Sequence, residues 1–201
     1  MRHIYKEGAS SKSPVLLLLH GTGGTEEDLL PIAEMIDSQA AVLSVRGNVS
    51  ENGMPRFFRR ISEGVFDEED LKNRTEELHE FLDQAAAEYG FDRSRVIAVG
   101  YSNGANIAAS LLFHYKESLK AAILYHPMVP LRNHALPDHS NLSIFIGTGE
   151  NDPICPAEET KELQSILEQA GASVNVHWER MGHRLTEQEV IESARWYQRN
   201  L

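Results

Sequence analysis

The 201-residue chain contains a single cysteine, Cys155, so it cannot form an internal disulfide or a zinc site built on paired thiolates. That usage fits a reducing compartment, and the chain is expected to be cytoplasmic. Positive charge is also scarce: 19 Lys and Arg face 30 Asp and Glu, for a formal net charge of −11. Binding to a nucleic-acid backbone depends on Lys and Arg displacing counterions, and anionic membrane surfaces attract the same residues. Neither nucleic acid nor membrane is therefore an expected partner. Long apolar runs are missing as well. The longest, Pro14 to Leu19, is far short of the ~20 residues that a bilayer span requires, and Met1 to Ser13 has no signal-peptide core. The chain shows no repeat, low-complexity tract or linker, so residues 1–201 are expected to form one domain.

A hydrophobic content of 41% with 24% charged residues is ordinary for a folded chain, and its distribution is informative. Val15 to Leu19, Ala41 to Val45, Val96 to Val99, Ala121 to Tyr125 and Leu142 to Ile146 are short apolar runs without alternation. Such runs are expected of parallel strands covered on both faces. Val174 to Trp178 reads as a further, less buried strand. Between these runs, Leu71, Thr75, Leu78, Leu82, Ala85 and Tyr89 recur at three- and four-residue steps and form one stripe of a helix. Similar stripes mark helices around Ile32, Leu163 and Val190. Alternating strands and helices predict an α/β doubly wound, mostly parallel sheet with helices on both faces. Ligands in such sheets bind beyond the carboxyl ends of the strands. Two connections leave such ends: Gly47 to Phe66, which has no clear periodicity, and His126 to Asn141, which is rich in Pro, Asn and His.

Gly100-Tyr101-Ser102-Asn103-Gly104 follows one apolar run and precedes an alanine-rich helical segment. In that strand–turn–helix setting, Gly-x-Ser-x-Gly lifts a serine hydroxyl into a site as a nucleophile elbow. A serine hydroxyl is a weak nucleophile near neutral pH, so it needs a base and a carboxylate to orient that base. Hydrolases of this architecture carry these groups in the order serine, acid, histidine. Asp152 and His183 follow Ser102 in that order, each on a loop leaving a strand end. Glu150 and Asp138 are the alternative acids, and His126, His134 and His139 the alternative bases; His177 lies within a strand and reads as structural. Backbone N–H donors for an oxyanion are expected at Thr22, within His20-Gly21-Thr22-Gly23-Gly24, and at Asn103.

Other chemistries find less support. No Gly-x-Gly-x-x-Gly is completed, since Glu26 and Asp152 occupy the third positions, and no Walker-type lysine follows. Among nine histidines there is no His-Glu-x-x-His pattern, so no metal or other cofactor is expected. Cys155, beside Pro156, reads as a small packed residue.

Together with Arg46-Gly47-Asn48, Gly149-Glu150-Asn151-Asp152-Pro153 and Gly182-His183-Arg184-Leu185-Thr186, these motifs resemble the bacterial phospholipase/carboxylesterase family. That family is the small, capless branch of the α/β-hydrolases, related to dienelactone hydrolases and acyl-protein thioesterases. The stretches Asn52 to Arg60 and Glu63 to Leu71 are similar to the bacillus-type carboxylesterases associated with hydroquinone resistance. The resemblance implies a catalytic triad of Ser102, Asp152 and His183, oxyanion donors at Thr22 and Asn103, and homodimer formation as an option. The thioesterase relatives carry glutamine where Asn103 stands, which points away from long-chain acyl substrates.

The connection from His126 to Asn141 is too short for a multi-helix lid, so the pocket should be shallow. Phe57 and Phe58 are expected to form one apolar wall. Arg56, Arg59 and Arg60 either meet an acidic group of the substrate or pair with the Asp67 to Asp70 run. The expected function is hydrolysis of small carboxylic esters through an acyl-enzyme. A thioesterase or lysophospholipase using the same groups, and a non-catalytic receptor for a small ligand, are the alternatives. With histidine as base, kcat/KM should fall as pH drops through roughly 6 to 7.

Overall fold

The structure is a computed structural model that describes all 201 residues. Its central sheet has seven strands: β1 (His3–Lys6), β2 (Val15–Leu19), β3 (Ala41–Val45), β8 (Val96–Tyr101), β9 (Ala121–Tyr125), β10 (Ser143–Gly149) and β11 (Ser173–Glu179). The spatial order is β1-β3-β2-β8-β9-β10-β11, and every pair is parallel except β1–β3. Two short hairpins, β4 (Val49–Glu51) with β5 (Met54–Arg56) and β6 (Arg60–Ser62) with β7 (Val65–Phe66), stand apart from this sheet. The helices are α1 (Leu30–Ile36), α2 (Glu68–Tyr89), α3 (Asn103–His114), α4 (Ala157–Gln169) and α5 (Glu187–Asn200).

The unalternating strands follow from coverage on both faces, because alternate side chains then enter separate apolar layers. Val15, Leu17 and Leu19 of β2 join the core formed with α2, α3 and α4, whereas Leu16 and Leu18 join the one formed with α1 and α5. Helix α3 lies deepest, with every residue from Asn103 to Phe113 buried. Helix α2 buries the predicted stripe from Leu71 to Ala85, and at its end the half-buried Tyr89 ring stacks 4.2 Å from that of Tyr5. Asp67 caps its start by accepting from the Asp70 N–H, and Gly90, at φ 72°, turns the chain away.

The structure differs from the sequence reading in three places. Strand β1 is a half-buried edge with too few residues to register as an apolar run. The Gly47 to Phe66 connection contains the two hairpins, whose strands of two or three residues are too short to show periodicity. Strand β10 starts at Ser143 and runs on to Gly149, beyond the apolar stretch. The connection from His126 to Asn141 contains no helix, so no cap is built over the carboxyl ends of β8, β9 and β10.

Candidate active site

Ser102 occupies the single residue between β8 and α3, at φ 52° and ψ −113°. A non-glycine residue in this region carries roughly 1–3 kcal/mol of strain. Its N–H donates to the Tyr125 carbonyl at 2.9 Å, and its carbonyl accepts from the Asn106 N–H at 2.9 Å. The two motif glycines serve packing, since neither has positive φ. A Cβ on Gly104 would lie 2.0 Å from the Leu19 carbonyl oxygen, and one on Gly100 would lie 2.7 Å from the Ala105 nitrogen. The absence of both side chains lets α3 approach β2 and β8 closely enough to expose the serine at the strand ends.

Asp152 follows β10, and its Oδ1 accepts from the N–H groups of Ile154 (2.8 Å) and Cys155 (2.9 Å). This fixes the carboxylate and turns Oδ2 toward His183 Nδ1 at 2.7 Å. His183 Nε2 lies 2.9 Å from Ser102 Oγ. Because a carboxylate only accepts, the Nδ1 proton faces Asp152 and leaves Nε2 free to accept the serine proton. The Tyr101 hydroxyl, donating to the His183 carbonyl at 2.6 Å, secures the loop behind the ring. The His183 side chain is 17% exposed and that of Asp152 is 0%, so the imidazole is reachable while its orienting carboxylate is dry. Burial opposes the charged form of Asp152, but hydrogen bonds from His126, His183, Cys155 and Ile154 hold its carboxyl well below the usual carboxylate range.

Asn103 is the first residue of α3, where the N–H has no intrahelical acceptor and the helix dipole favours negative charge. The Thr22 N–H likewise has no backbone acceptor. Thr22, Ser102, Asn103 and His183 line one small cavity of about 40 Å³. The loop carrying Thr22 is tied down on several sides. The Gly23 N–H donates to the Pro55 carbonyl at 2.9 Å, Arg56 Nη1 to Thr22 Oγ1 at 2.7 Å, and the Gly47 N–H to His20 Nε2 at 3.0 Å. His20 Nδ1 lies 2.6 Å from the Gly21 carbonyl, so it carries the proton, and burial lowers the pKa of this neutral ring. This arrangement can pass a hydroxyl proton to an imidazole and offer two N–H groups to a developing oxyanion.

The four residues predicted to contact substrate separate. Phe57 and Phe58 are fully buried and do not form the cavity wall. The Phe57 N–H donates to Asn103 Oδ1 at 2.7 Å, which draws the chain inward; its ring packs 4.8 Å from that of His20, and Phe58 packs edge-on against Phe66 at 5.1 Å. Phe66, Met128 and Ile154 supply the apolar lining instead. Arg59 is outside the cavity and pairs with Asp67 at 3.3 Å and Asp70 at 3.7 Å, the ion-pairing alternative weighed from sequence. Arg56 and Arg60 line the cavity, and both also pair with Glu51.

The alternative acids and bases have other partners. Glu150 pairs with Arg180, and Asp138 with Lys116. His134 and His139 meet the carbonyls of Phe113 and Leu112, and His177 meets Glu179. His126 does join the site, though not as the serine's base. Its Nδ1 lies 2.9 Å from Asp152 Oδ2, and its Nε2 lies 3.1 Å from an oxygen of Glu189. Glu189 escaped notice because, three residues after Thr186, it reads as half of a helix capping box, which it also is. His126, Asp152 and His183 offer ligand atoms within 4.8 Å of one another, but those atoms are already engaged in hydrogen bonds among themselves. A larger cavity, about 280 Å³, lies by Ser94, Lys120 and Asn141 at the amino ends of β8, β9 and β10, away from these groups.

Residues 4–194 match the model of the dienelactone hydrolase family, so the chain belongs to that family. It is 59% identical over 197 residues to MhqD of Bacillus subtilis (strain 168), covering 98% of both chains. The crystal structure of the Bacillus cereus carboxylesterase superimposes with a TM-score of 0.99 at 60% identity, covering all of this chain and 95% of that one. A more distant similarity, 24% identity over 174 residues, covers 77% of this chain and 72% of acyl-protein thioesterase 1 from Cryptococcus neoformans. By these relatives the chain is a hydrolase of carboxylesterase type within the α/β-hydrolase fold.

Proposed function

We propose that this member of the dienelactone hydrolase family is a cytoplasmic serine carboxylesterase that hydrolyses small, soluble carboxylic esters through an acyl-enzyme. The observation that carries this reading is the unbroken chain from Ser102 Oγ to His183 Nε2 at 2.9 Å and from His183 Nδ1 to Asp152 Oδ2 at 2.7 Å, beside the N–H groups of Asn103 and Thr22. Ser102 attacks the ester carbonyl while His183 takes its proton, and the two N–H groups hold the oxyanion. His183 then returns the proton to the departing alkoxide. Water, deprotonated by the same imidazole, attacks the acyl-serine and releases the acid and the free serine. The steps use side chains and backbone N–H groups of this chain, and water.

The cavity of about 40 Å³ and the lack of a helical cap support a small acyl group. Thioester hydrolysis is the second reading, favoured by the acyl-protein thioesterase relative. Turnover of p-nitrophenyl acetate and labelling by a fluorophosphonate probe test the mechanism. Both are expected in the native chain and lost in Ser102→Ala, and labelling at another residue would overturn it. A series of esters and thioesters of increasing chain length separates the two substrate classes.

A further inference from the structure

His126 lies between two carboxylates that have no other cationic partner than imidazole. Its Nδ1 is 2.9 Å from Asp152 Oδ2, the same oxygen that meets His183, and its Nε2 lies 3.1 Å from Glu189 Oε1 and hydrogen-bonds Glu189 Oε2 at 3.4 Å. The side chains of Asp152 and Glu189 are both 0% exposed, and that of His126 is 1% exposed. Neither carboxylate forms an ion pair with a lysine or arginine. The other titratable or charged side chains that face His126 are Tyr101, with its ring at 6.0 Å, His183, with its ring at 5.1 Å, and, around the shared cavity, Arg56 and Arg60. A neutral imidazole has one N–H and one lone pair, and would turn that lone pair toward a buried carboxylate. The doubly protonated ring offers a donor to each neighbour and neutralises one of two buried negative charges.

We propose that His126 is a positioning residue that stays positively charged throughout the neutral range. It fixes the Asp152 carboxylate from behind, and its charge, held in place by Glu189, sets the pH range over which His183 acts as a base. Burial alone would lower the pKa of His126, but the hydrogen bonds to Asp152 and Glu189 outweigh it and raise the value to about 9. A fixed positive charge 5.1 Å from the His183 ring repels a second positive charge placed there. Glu189 limits that repulsion and prevents His126 from discharging near neutral pH. The role assigned to His126 rests on the reading of His183 as base, whereas its charge state does not.

The first test is ¹⁵N NMR of histidine side chains in the native protein, with His126 assigned through ring-proton contacts to Tyr101 and His183. Both ring nitrogens of His126 are expected to stay protonated from pH 6 to 8. A singly protonated ring at pH 7 overturns the proposal whether or not the protein turns over esters. The second test is the pH profile of kcat/KM. In His126→Gln the acid limb should move up by roughly 2 pH units, the Coulomb effect of a charge about 5 Å away at an effective dielectric of about 20. His126→Arg, which keeps the charge, should hold the limb near its native position. In Glu189→Gln, His126 should release its proton within the neutral range and add a second ionisation to the profile. A uniform loss of rate with an unmoved limb in His126→Gln would show packing alone and overturn the electrostatic role. If the native protein hydrolyses no ester while His126 is doubly protonated, the proposed function fails and the charge assignment stands.

Discussion

Asp152→Asn removes one negative charge and almost no volume, so its effect can be worked out atom by atom. The amide oxygen is held where Oδ1 now accepts from the Ile154 and Cys155 N–H groups, and this places the amide NH₂ at the position of Oδ2. That NH₂ then faces His183 Nδ1, now 2.7 Å from an acceptor, and His126 Nδ1, now at 2.9 Å. His183 must present a lone pair to the new donor, so its proton moves to Nε2 and points at Ser102 Oγ, where an acceptor is required. The wrong tautomer should lower kcat by about 10⁴, or about 5.5 kcal/mol of barrier. His126 also loses a buried partner, a change that costs about 3–5 kcal/mol and should lower Tm by roughly 10 °C. The assay is steady-state p-nitrophenyl acetate hydrolysis beside thermal denaturation, and a folded variant with kcat within tenfold of native would refute the assignment. Glu150→Gln is the control: Glu150 is exposed and paired only with Arg180, so its loss should leave both measurements unchanged.

Thr22→Ala keeps the N–H assigned to the oxyanion and removes only the hydroxyl that accepts from Arg56. It should reduce kcat/KM less than tenfold, and a loss of ~10² or more would implicate the side chain as the donor. Gly104→Ala should fail to accumulate as folded protein, because its Cβ would sit 2.0 Å from the Leu19 carbonyl oxygen in the middle of the sheet; a soluble variant with native Tm would contradict the close approach of α3 to β2. The raised pKa of His126 makes stability pH-dependent, because the folded state binds its proton more tightly than the unfolded chain does. The stabilisation is complete below about 6.5 and is lost as pH rises through about 9. The change is about 3 kcal/mol, measurable by urea unfolding between pH 6 and 9.5, and a flat profile over that range would contradict a charged His126. Asp152 acts in the opposite sense: its contribution is full above the ordinary carboxylate pKa and is lost progressively as pH falls from there through its lower folded-state value. Phe57→Ala, in a fully buried position, should cost about 3–5 kcal/mol in unfolding free energy, whereas a change confined to KM would return the ring to the substrate wall.

Much of the architecture was legible because five of the seven sheet strands carry buried side chains, mostly apolar, on both faces, which leaves little ambiguity between strand and loop. Strand β1 escaped because it is a half-buried edge only four residues long. The convergence of Ser102, Asp152 and His183 was accessible because each follows the carboxyl end of a strand. The apolar lining was misjudged at Phe57 and Phe58. Two aromatics on an irregular connection near a site look like a wall, and nothing in the sequence shows that the Asn103 side chain draws the Phe57 N–H inward. His126 could be weighed only as a rival base, because its second partner, Glu189, lies 63 residues further along. Pairing across that separation is set by how α5 packs beside β10, which local sequence pattern does not encode.

The sheet also accounts for how the two least relaxed residues of the site are held. Ser102 and His126 both adopt φ 52°, and each is the first residue beyond a strand. The parallel ladder continues one step past each strand end: the Ser102 N–H donates to the Tyr125 carbonyl at 2.9 Å, and the His126 N–H to the Gly147 carbonyl at 2.7 Å. Tyr101 is in register with Tyr125, and Tyr125 with Gly147, so the hydroxyl and the second imidazole leave neighbouring strands at the same level. Strain of roughly 1–3 kcal/mol at each residue is thus opposed by hydrogen bonds that belong to the core of the fold and cannot relax separately. A slip of one residue between β8 and β9 would turn every side chain of one strand to the opposite face. The register of β8 on β9 and of β9 on β10 is therefore the same constraint that sets Ser102 and His126 on either side of the Asp152–His183 pair.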